Sequence, residues 1–191
     1  MSIRAFIAVE IEDPSVLSKL IKVRDALVET GADLKPVEDE NIHLTIRFLG
    51  HISSVTVEAI KRILSRAPEI TGGSFEMVVK GVGAFPNVNR PRVIWAGVVE
   101  GCDPLARLRK YIDDSIQRER LYDVHRDQHG FSPHITLARV RSGRNLARLS
   151  QLLLQYSDYE FGRTPVTEVK LKQSILTPRG PIYKDIFSVR L

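Results

Sequence analysis

Two short apolar stretches about half a chain apart, IHLTIRFLG and PHITLARV, each contain a histidine followed two residues later by a threonine. Side chains alternate between the two faces of a β-strand, so we expect His43 to share a face with Thr45, and His134 with Thr136. An imidazole titrates near pH ~6.5 and can therefore give or take a proton near neutrality. Two imidazoles facing one cleft suit phosphodiester cleavage, in which one proton is removed and another is supplied.

The other side chains of these strands predict how a phosphate would be held. Threonine hydroxyls can donate hydrogen bonds to non-bridging phosphate oxygens, and a guanidinium can pair with the same oxygens bidentately. Strict alternation places Arg47 on the face of His43, which makes it a candidate substrate-binding residue. The same alternation places Leu44, Ile46 and Phe48 on the opposite, buried face.

The surroundings of the two motifs also repeat. RAFIAVEIE near the N-terminus and RVIWAGVVE in the second half are both dense apolar runs that begin with arginine and end with an acid. Each is followed by a helical pattern, a polar connection and a histidine strand. One His-x-Thr alone is typical of an ordinary half-buried strand histidine, but two at matching places indicate an internal duplication. We predict pseudo-repeats at about 1–90 and 91–191.

These patterns predict the α+β class and a single domain over 1–191, since no linker separates the repeats. We expect two similar lobes related by pseudo-twofold symmetry, each a mostly antiparallel sheet with flanking helices. The active cleft would lie between the lobes, where equivalent strands bring His43 and His134 together.

Composition narrows the class of partner. The chain has 28 Lys and Arg against 23 Asp and Glu, a net charge of +5, which is compatible with RNA or another phosphorylated partner. Many basic proteins bind no nucleic acid, so charge alone leaves the question open. The single cysteine, Cys102, excludes an internal disulfide and fits a reducing compartment, so we expect a cytoplasmic protein. No apolar stretch approaches the ~20 residues of a membrane span, and the N-terminus is typical of a first strand rather than a signal peptide.

The paired motifs HLTI and HITL resemble the signature of the 2H phosphoesterase superfamily. Their context, RAFIAVEI, NIHLTIRFLG, GVGAFPNVNRPRVIWAGV and FSPHITLARV, resembles the branch of RNA 2′,3′-cyclic phosphodiesterases that were first described as 2′–5′ RNA ligases. The resemblance spans nearly the whole chain. It implies a bilobed α+β fold and metal-independent hydrolysis of an RNA 2′,3′-cyclic phosphate to a 2′-phosphate, without a cofactor.

The resemblance also implies roles for individual residues. His43 would be the proton donor to the leaving 3′ oxygen, His134 the proton acceptor from water, and Thr45 and Thr136 would hold the phosphate. Arg139 would be a phosphate contact. Strict alternation puts Arg139 on the face opposite His134, so the strand would need to end, twist or bulge before it.

The expected partners are RNA ends that carry a 2′,3′-cyclic phosphate, such as transfer RNA fragments, and the protein is expected to be a monomer with no membrane and no metal. Phe85 is a candidate for stacking on a base, or it caps an edge of the core. The same site could also run in reverse as a 2′–5′ RNA ligase, because microscopic reversibility exchanges the roles of the two histidines.

Two other functions remain open from the sequence. A noncatalytic RNA-binding module would use the basic surface and have no turnover. A metal-dependent hydrolase could use His125 and His129, which lie four residues apart among aspartates. Gly130 and Pro133 follow them closely, so we expect a polar surface loop there rather than a helix with a metal site.

Overall fold

The computed structural model describes all residues from Met1 to Leu191, which form nine strands and five helices. The strands are β1 (Ser2–Glu10), β2 (Leu34–Pro36), β3 (His43–Ser53), β4 (Phe75–Phe85), β5 (Val93–Glu100), β6 (His134–Val140), β7 (Glu160–Val166), β8 (Glu168–Thr177) and β9 (Gly180–Arg190). The helices are α1 (Pro14–Glu29), α2 (Ser54–Leu64), α3 (Ala67–Thr71), α4 (Cys102–Arg118) and α5 (Leu146–Gln155). No helix is both long and apolar enough to cross a membrane.

Local sequence signals account for the residues at which the first helices begin. The Asp13 side chain accepts a hydrogen bond from the backbone N–H of Val16 and caps α1, whose first residue is Pro14. The Ser53 side chain caps α2 in the same way. The sequence suggests one helix over about 53–67, but the structure divides this segment into α2 and α3, with a proline in the first turn of α3.

The sheet consists of two four-stranded halves joined at one point. Its strand order is β7-β4-β5-β6-β3-β1-β8-β9, every pairing is antiparallel, and β2 adds to β6. The two histidine strands, β3 and β6, pair only through Leu44 and Ile135. The two sides of this pair are arranged in an equivalent way, since β1 lies beside β3 as β5 lies beside β6. The predicted α+β class with mostly antiparallel sheets is confirmed.

The two halves of the sequence interleave in space. Strand β4, from the first half of the chain, pairs with β5 and β7, whereas β8 from the second half pairs with β1. Likewise α1 packs on β6 and β7, and α4 packs on β3. Each lobe therefore contains elements from both sides of residue 90. The pseudo-repeats at 1–90 and 91–191 stay a prediction about the sequence, and their boundary is not the boundary between lobes.

Leu44 tests the importance of the contact between β3 and β6. Its side chain is fully buried, so Leu44→Ala is expected to lower the free energy of unfolding by about 2–5 kcal/mol through lost burial and a residual cavity. Urea denaturation measures the change. The matched control is Leu154→Ala in α5, whose side chain is 59% exposed. An equal loss in the two variants would contradict a special role for the Leu44 contact.

Candidate active site

A cleft of about 530 Å³ opens on the face of the sheet where β3 and β6 meet, and all four residues of the two motifs line it. Those residues are His43, Thr45, His134 and Thr136. The other lining residues are Arg4, Phe6, Lys35, Pro36, Val37, Glu38, Asn41, Phe48, Arg139, Ser174, Arg179, Gly180, Pro181 and Tyr183. The tertiary structure therefore brings together the two motifs that are half a chain apart.

The two imidazoles are oriented by equivalent backbone contacts. Nδ1 of His43 lies 2.6 Å from the carbonyl oxygen of Asn41, and Nδ1 of His134 lies 2.8 Å from that of Ser132. A carbonyl oxygen can only accept, so each Nδ1 carries a proton and Nε2 is the acceptor nitrogen of each neutral ring. The Thr45 hydroxyl lies 2.8 Å from Nε2 of His43, to which it donates when the ring is neutral.

Aromatic rings surround each histidine. The ring of His43 lies 5.1 Å from that of Phe6 and 5.4 Å from that of Tyr183, measured between centroids. The ring of His134 lies 5.0 Å from Phe85 and meets it edge to face. Phe85 is 37% exposed and contacts His134, but it is not among the residues that line the cleft. These contacts restrict rotation of both imidazoles.

Arg47 does not lie in the cleft, contrary to the expectation from alternation. The β1 partners of Thr45 and Arg47 are consecutive residues, so Ile46 is an extra residue in β3 and forms a β-bulge. The bulge turns Arg47 to the other face, where its Nε donates to Asp113 at 2.7 Å. Phe48, expected on the buried face, takes the next position on the cleft face.

On that other face Arg47 is part of a structural network. Its guanidinium also donates to the carbonyl oxygens of Phe48 and His125, at 2.6 and 2.8 Å. Arg47 and His125 line a separate cavity of about 690 Å³, which neither motif histidine borders. His125 and His129 belong to no group of three or more His, Cys, Asp or Glu side chains that could hold a metal ion.

Arg139 lies in the cleft because β6 contains the equivalent bulge. The β5 partners of Thr136 and Ala138 are consecutive residues, which leaves Leu137 as the extra residue. The bulge returns Arg139 to the face of His134, where its side chain is exposed and lines the cleft. The irregularity that the sequence required before Arg139 is therefore present.

The sequence patterns did not reveal how the β8–β9 hairpin contributes to the cleft. Asn41 donates a hydrogen bond to the Pro181 carbonyl oxygen at 2.9 Å, and the Lys35 ammonium donates to that of Arg179 at 3.3 Å. These bonds hold the hairpin tip against β2 and the segment just before β3, where Tyr183 contacts His43. No local signal marks such a contact, since its partners are about 140 residues apart.

Arg4 is a second lining residue that the sequence patterns missed. Its guanidinium carbon lies 4.6 Å from the centroid of the Phe48 ring. Alternation along β1 offered a signal, because Arg4 shares a face with Phe6, which contacts His43. The apolar character of that segment indicated only a buried strand.

The environment of His43 favours its neutral form. Burial lowers the pKa of His43 from its ordinary value of 6.5, the Asn41 carbonyl opposes this change, and the positive charge of Lys172 lowers the pKa further. Lys172 is itself buried, and its ammonium donates to Glu10 at 2.7 Å and to Asp185 at 2.8 Å. In the unliganded protein at neutral pH, His43 is therefore uncharged.

The effect of Lys172 on His43 can be measured directly. We expect Lys172→Met to raise the pKa of His43, because the substitution removes a nearby positive charge while Lys170 still pairs with both carboxylates. NMR titration of the imidazole protons measures the pKa. Lys184→Met is the matched control, since Lys184 is exposed on the same hairpin and neighbours Tyr183 without lining the cleft. An unchanged or lower pKa in Lys172→Met would contradict the assignment.

Comparison with known proteins gives one consistent family. Residues 5–191 match the family described as the AKAP7 2′5′ RNA ligase-like domain. The chain is 39% identical over 176 residues to an RNA 2′,3′-cyclic phosphodiesterase of Aeropyrum pernix, covering 92% of this chain and 96% of the relative. It is 38% identical to the protein of the same name from Archaeoglobus fulgidus, over 96% and 97% of the two chains. The crystal structure of TT0787 of Thermus thermophilus superposes with a TM-score of 0.80 at 26% identity, over 98% and 97%.

Proposed function

This chain belongs to the 2′5′ RNA ligase-like family, and we propose that it is an RNA 2′,3′-cyclic phosphodiesterase that uses two histidines as general acid and base. The observation that carries the proposal is the equivalent arrangement of two His-x-Thr strands in one cleft. In each, a backbone carbonyl holds Nδ1 and leaves Nε2 for proton transfer. The names of the relatives with 38–39% identity support the same activity.

The proposed reaction opens the five-membered phosphate ring. Nε2 of His134 accepts a proton from water as the water oxygen attacks phosphorus. Nε2 of His43 donates a proton to the 3′ oxygen as its bond to phosphorus breaks. The products are a 2′-phosphate and a free 3′-hydroxyl, and each proton transfer typically contributes about 10²–10⁴-fold to the rate.

Substrate binding supplies the reason why a neutral His43 becomes the acid. The cyclic phosphate carries a negative charge, and an opposite charge within hydrogen-bond reach favours the protonated imidazole. The pKa of His43, lowered by burial in the free protein, therefore rises when the phosphate occupies the cleft. Binding of the anion and protonation of the acid are thus coupled.

The remaining motif side chains hold the phosphate. Thr45 and Thr136 hydroxyls donate to its non-bridging oxygens, and Arg139 pairs with the same oxygens as negative charge builds up during attack. Hydrogen bonds that strengthen in the transition state raise the rate rather than only the affinity. None of these steps uses a metal ion or a cofactor.

A ligation reaction follows from the same pair of groups. A 5′-hydroxyl could replace water as the attacking oxygen on the cyclic phosphate, which would form a 2′–5′ linkage with release of the same 3′ oxygen. In dilute aqueous solution water is in large excess, so hydrolysis is expected to dominate. Ligation without hydrolysis under those conditions would contradict the proposed site.

The first test uses a short RNA that ends in a 2′,3′-cyclic phosphate, incubated with the protein in excess EDTA. The expected product is the 2′-phosphate, resolved from the 3′-phosphate by chromatography. His43→Gln and His134→Gln are each expected to lower kcat by about 10²–10⁴-fold, because one proton transfer is lost in each. His129→Gln, in the exposed loop, is the matched control and should retain activity.

The same experiment separates the alternatives. A noncatalytic RNA-binding module would bind the RNA in all variants and form no product. A metal-dependent hydrolase would be inactive in EDTA, would recover on addition of a divalent metal, and would lose activity in His129→Gln. Either result would refute the proposed function.

The pH dependence tests the coupling between substrate charge and His43. Both kcat and kcat/KM are expected to give bell-shaped profiles, since one histidine must be protonated and the other neutral. Because bound phosphate raises the pKa of His43, the alkaline limb of kcat should lie at higher pH than that of kcat/KM. Initial rates from pH 5 to 9 measure both limbs, and a flat profile would exclude paired acid–base catalysis.

The proposed substrates are RNA ends of the kind that transfer RNA cleavage and splicing leave behind. The basic composition supports an RNA partner, and the single cysteine supports a reducing compartment such as the cytoplasm. The protein is proposed to act as a monomer. Size-exclusion chromatography with light scattering would measure the oligomeric state.

A further inference from the structure

Three guanidinium groups line the cleft, those of Arg4, Arg139 and Arg179, and Lys35 adds an ammonium group. β3 and β6 run antiparallel from the Leu44–Ile135 pair, so the side chains that follow the two threonines on the cleft face lie in opposite directions. In β6 that side chain is Arg139, and in β3 it is Phe48. Arg4, from the neighbouring strand β1, covers the Phe48 ring and provides the cation that β3 itself lacks at this end.

Arg4 differs from the buried arginines elsewhere in the protein. Arg24, Arg47 and Arg109 are buried, and each pairs with at least one carboxylate. Arg4 takes part in no ion pair, and its Nε is buried without any hydrogen-bond partner. A buried charged donor without a partner is unfavourable. Arg4 as a whole is half-buried, and a bound anion would supply the negative charge that no carboxylate of the protein provides.

The geometry of Arg4 suits a phosphate. Stacking on Phe48 fixes the plane of the guanidinium, and the N–H groups of its two Nη atoms are available for paired hydrogen bonds with two phosphate oxygens. Phe48 follows Thr45 along β3 by roughly 7–10 Å, which is of the order of one nucleotide step. A phosphate bound by Arg4 is therefore a different phosphate from the one held between the histidines.

Only one other phosphate of the substrate can reach this position. An RNA end with a 2′,3′-cyclic phosphate has no chain beyond its 3′ side, so the nearest additional phosphate links the terminal nucleotide to the one before it. We propose that Arg4 binds this internucleotide phosphate and makes the protein select cyclic-phosphate ends of RNA chains over free nucleoside 2′,3′-cyclic phosphates. This inference rests on the proposed function.

The experiment compares two substrates with the same terminal base. One is a dinucleotide that ends in a 2′,3′-cyclic phosphate, and the other is the nucleoside 2′,3′-cyclic phosphate. Arg4→Met is expected to lower kcat/KM for the dinucleotide by about 10- to 100-fold, the effect of one charge-assisted hydrogen-bonded pair. It should change kcat/KM for the mononucleotide little. For the wild-type protein, kcat/KM should be lower by a similar factor when the dinucleotide carries an uncharged methylphosphonate linkage. With that substrate, Arg4→Met should cause little further loss, because the contact is already absent.

Matched controls distinguish the loss of the contact between Arg4 and the internucleotide phosphate from general effects on charge and folding. Arg62→Met removes the same charge from the exposed surface of α2, outside the cleft, and should leave both substrates unaffected. Arg4→Lys keeps the charge but not the paired hydrogen-bond geometry. Its kcat/KM for the dinucleotide should therefore lie between the values of the wild-type protein and Arg4→Met. Thermal unfolding of each variant checks that the fold is retained.

The outcomes are distinct. The inference is supported if Arg4→Met lowers kcat/KM for the dinucleotide alone and has no such effect with the methylphosphonate dinucleotide. If Arg4→Met lowers kcat/KM equally for the dinucleotide and the mononucleotide, or for neither, the inference is overturned and the proposed function is unaffected. Wild-type protein that turns over neither substrate would instead refute the proposed function.

Discussion

The contact between Leu44 and Ile135 is the constraint on which the cleft depends. It is the only pairing between the two histidine strands, and it joins two four-stranded halves into one sheet. Since side chains alternate along a strand, burying these two residues on the helix-covered face places the flanking histidines and threonines on the other face. One apolar pair thus fixes the face on which four polar groups meet.

The two β-bulges occupy equivalent positions in β3 and β6, but they have opposite effects on the charge of the cleft. In β6 the bulge returns Arg139 to the cleft, whereas in β3 it sends Arg47 to an ion pair with Asp113. The cleft would otherwise contain a strand arginine on each side. Arg4 stacked on Phe48 restores a cation at the β3 end, from a neighbouring strand. The cations of Arg4 and Arg139 therefore reach the cleft from different structural positions, and Lys35 and Arg179 line it as well.

Burial and charge around His43 determine its state before substrate arrives. The residue is surrounded by Phe6 and Tyr183, and Lys172 lies close enough to lower its pKa. Lys172 donates to both Glu10 and Asp185, and these two carboxylates compensate its buried positive charge. An uncharged His43 avoids repulsion with the nearby Lys172 ammonium, and in the proposed reaction the substrate anion favours its protonation.

The sequence alone predicted the α+β class and both His-x-Thr strands, because alternation and apolar patterning are local properties. The irregularity before Arg139 was implied by the family resemblance set against strict alternation. Strict alternation wrongly assigned Arg47 and Phe48 to faces, since a bulge in β3 depends on its pairing with β1 and leaves no trace in the residue pattern. Arg4, Lys35, Arg179 and Tyr183 reach the cleft through contacts between distant strands and a hairpin held against β2 and the segment just before β3. Residue types fix which chemistry is available, whereas strand register decides which side chains face one another.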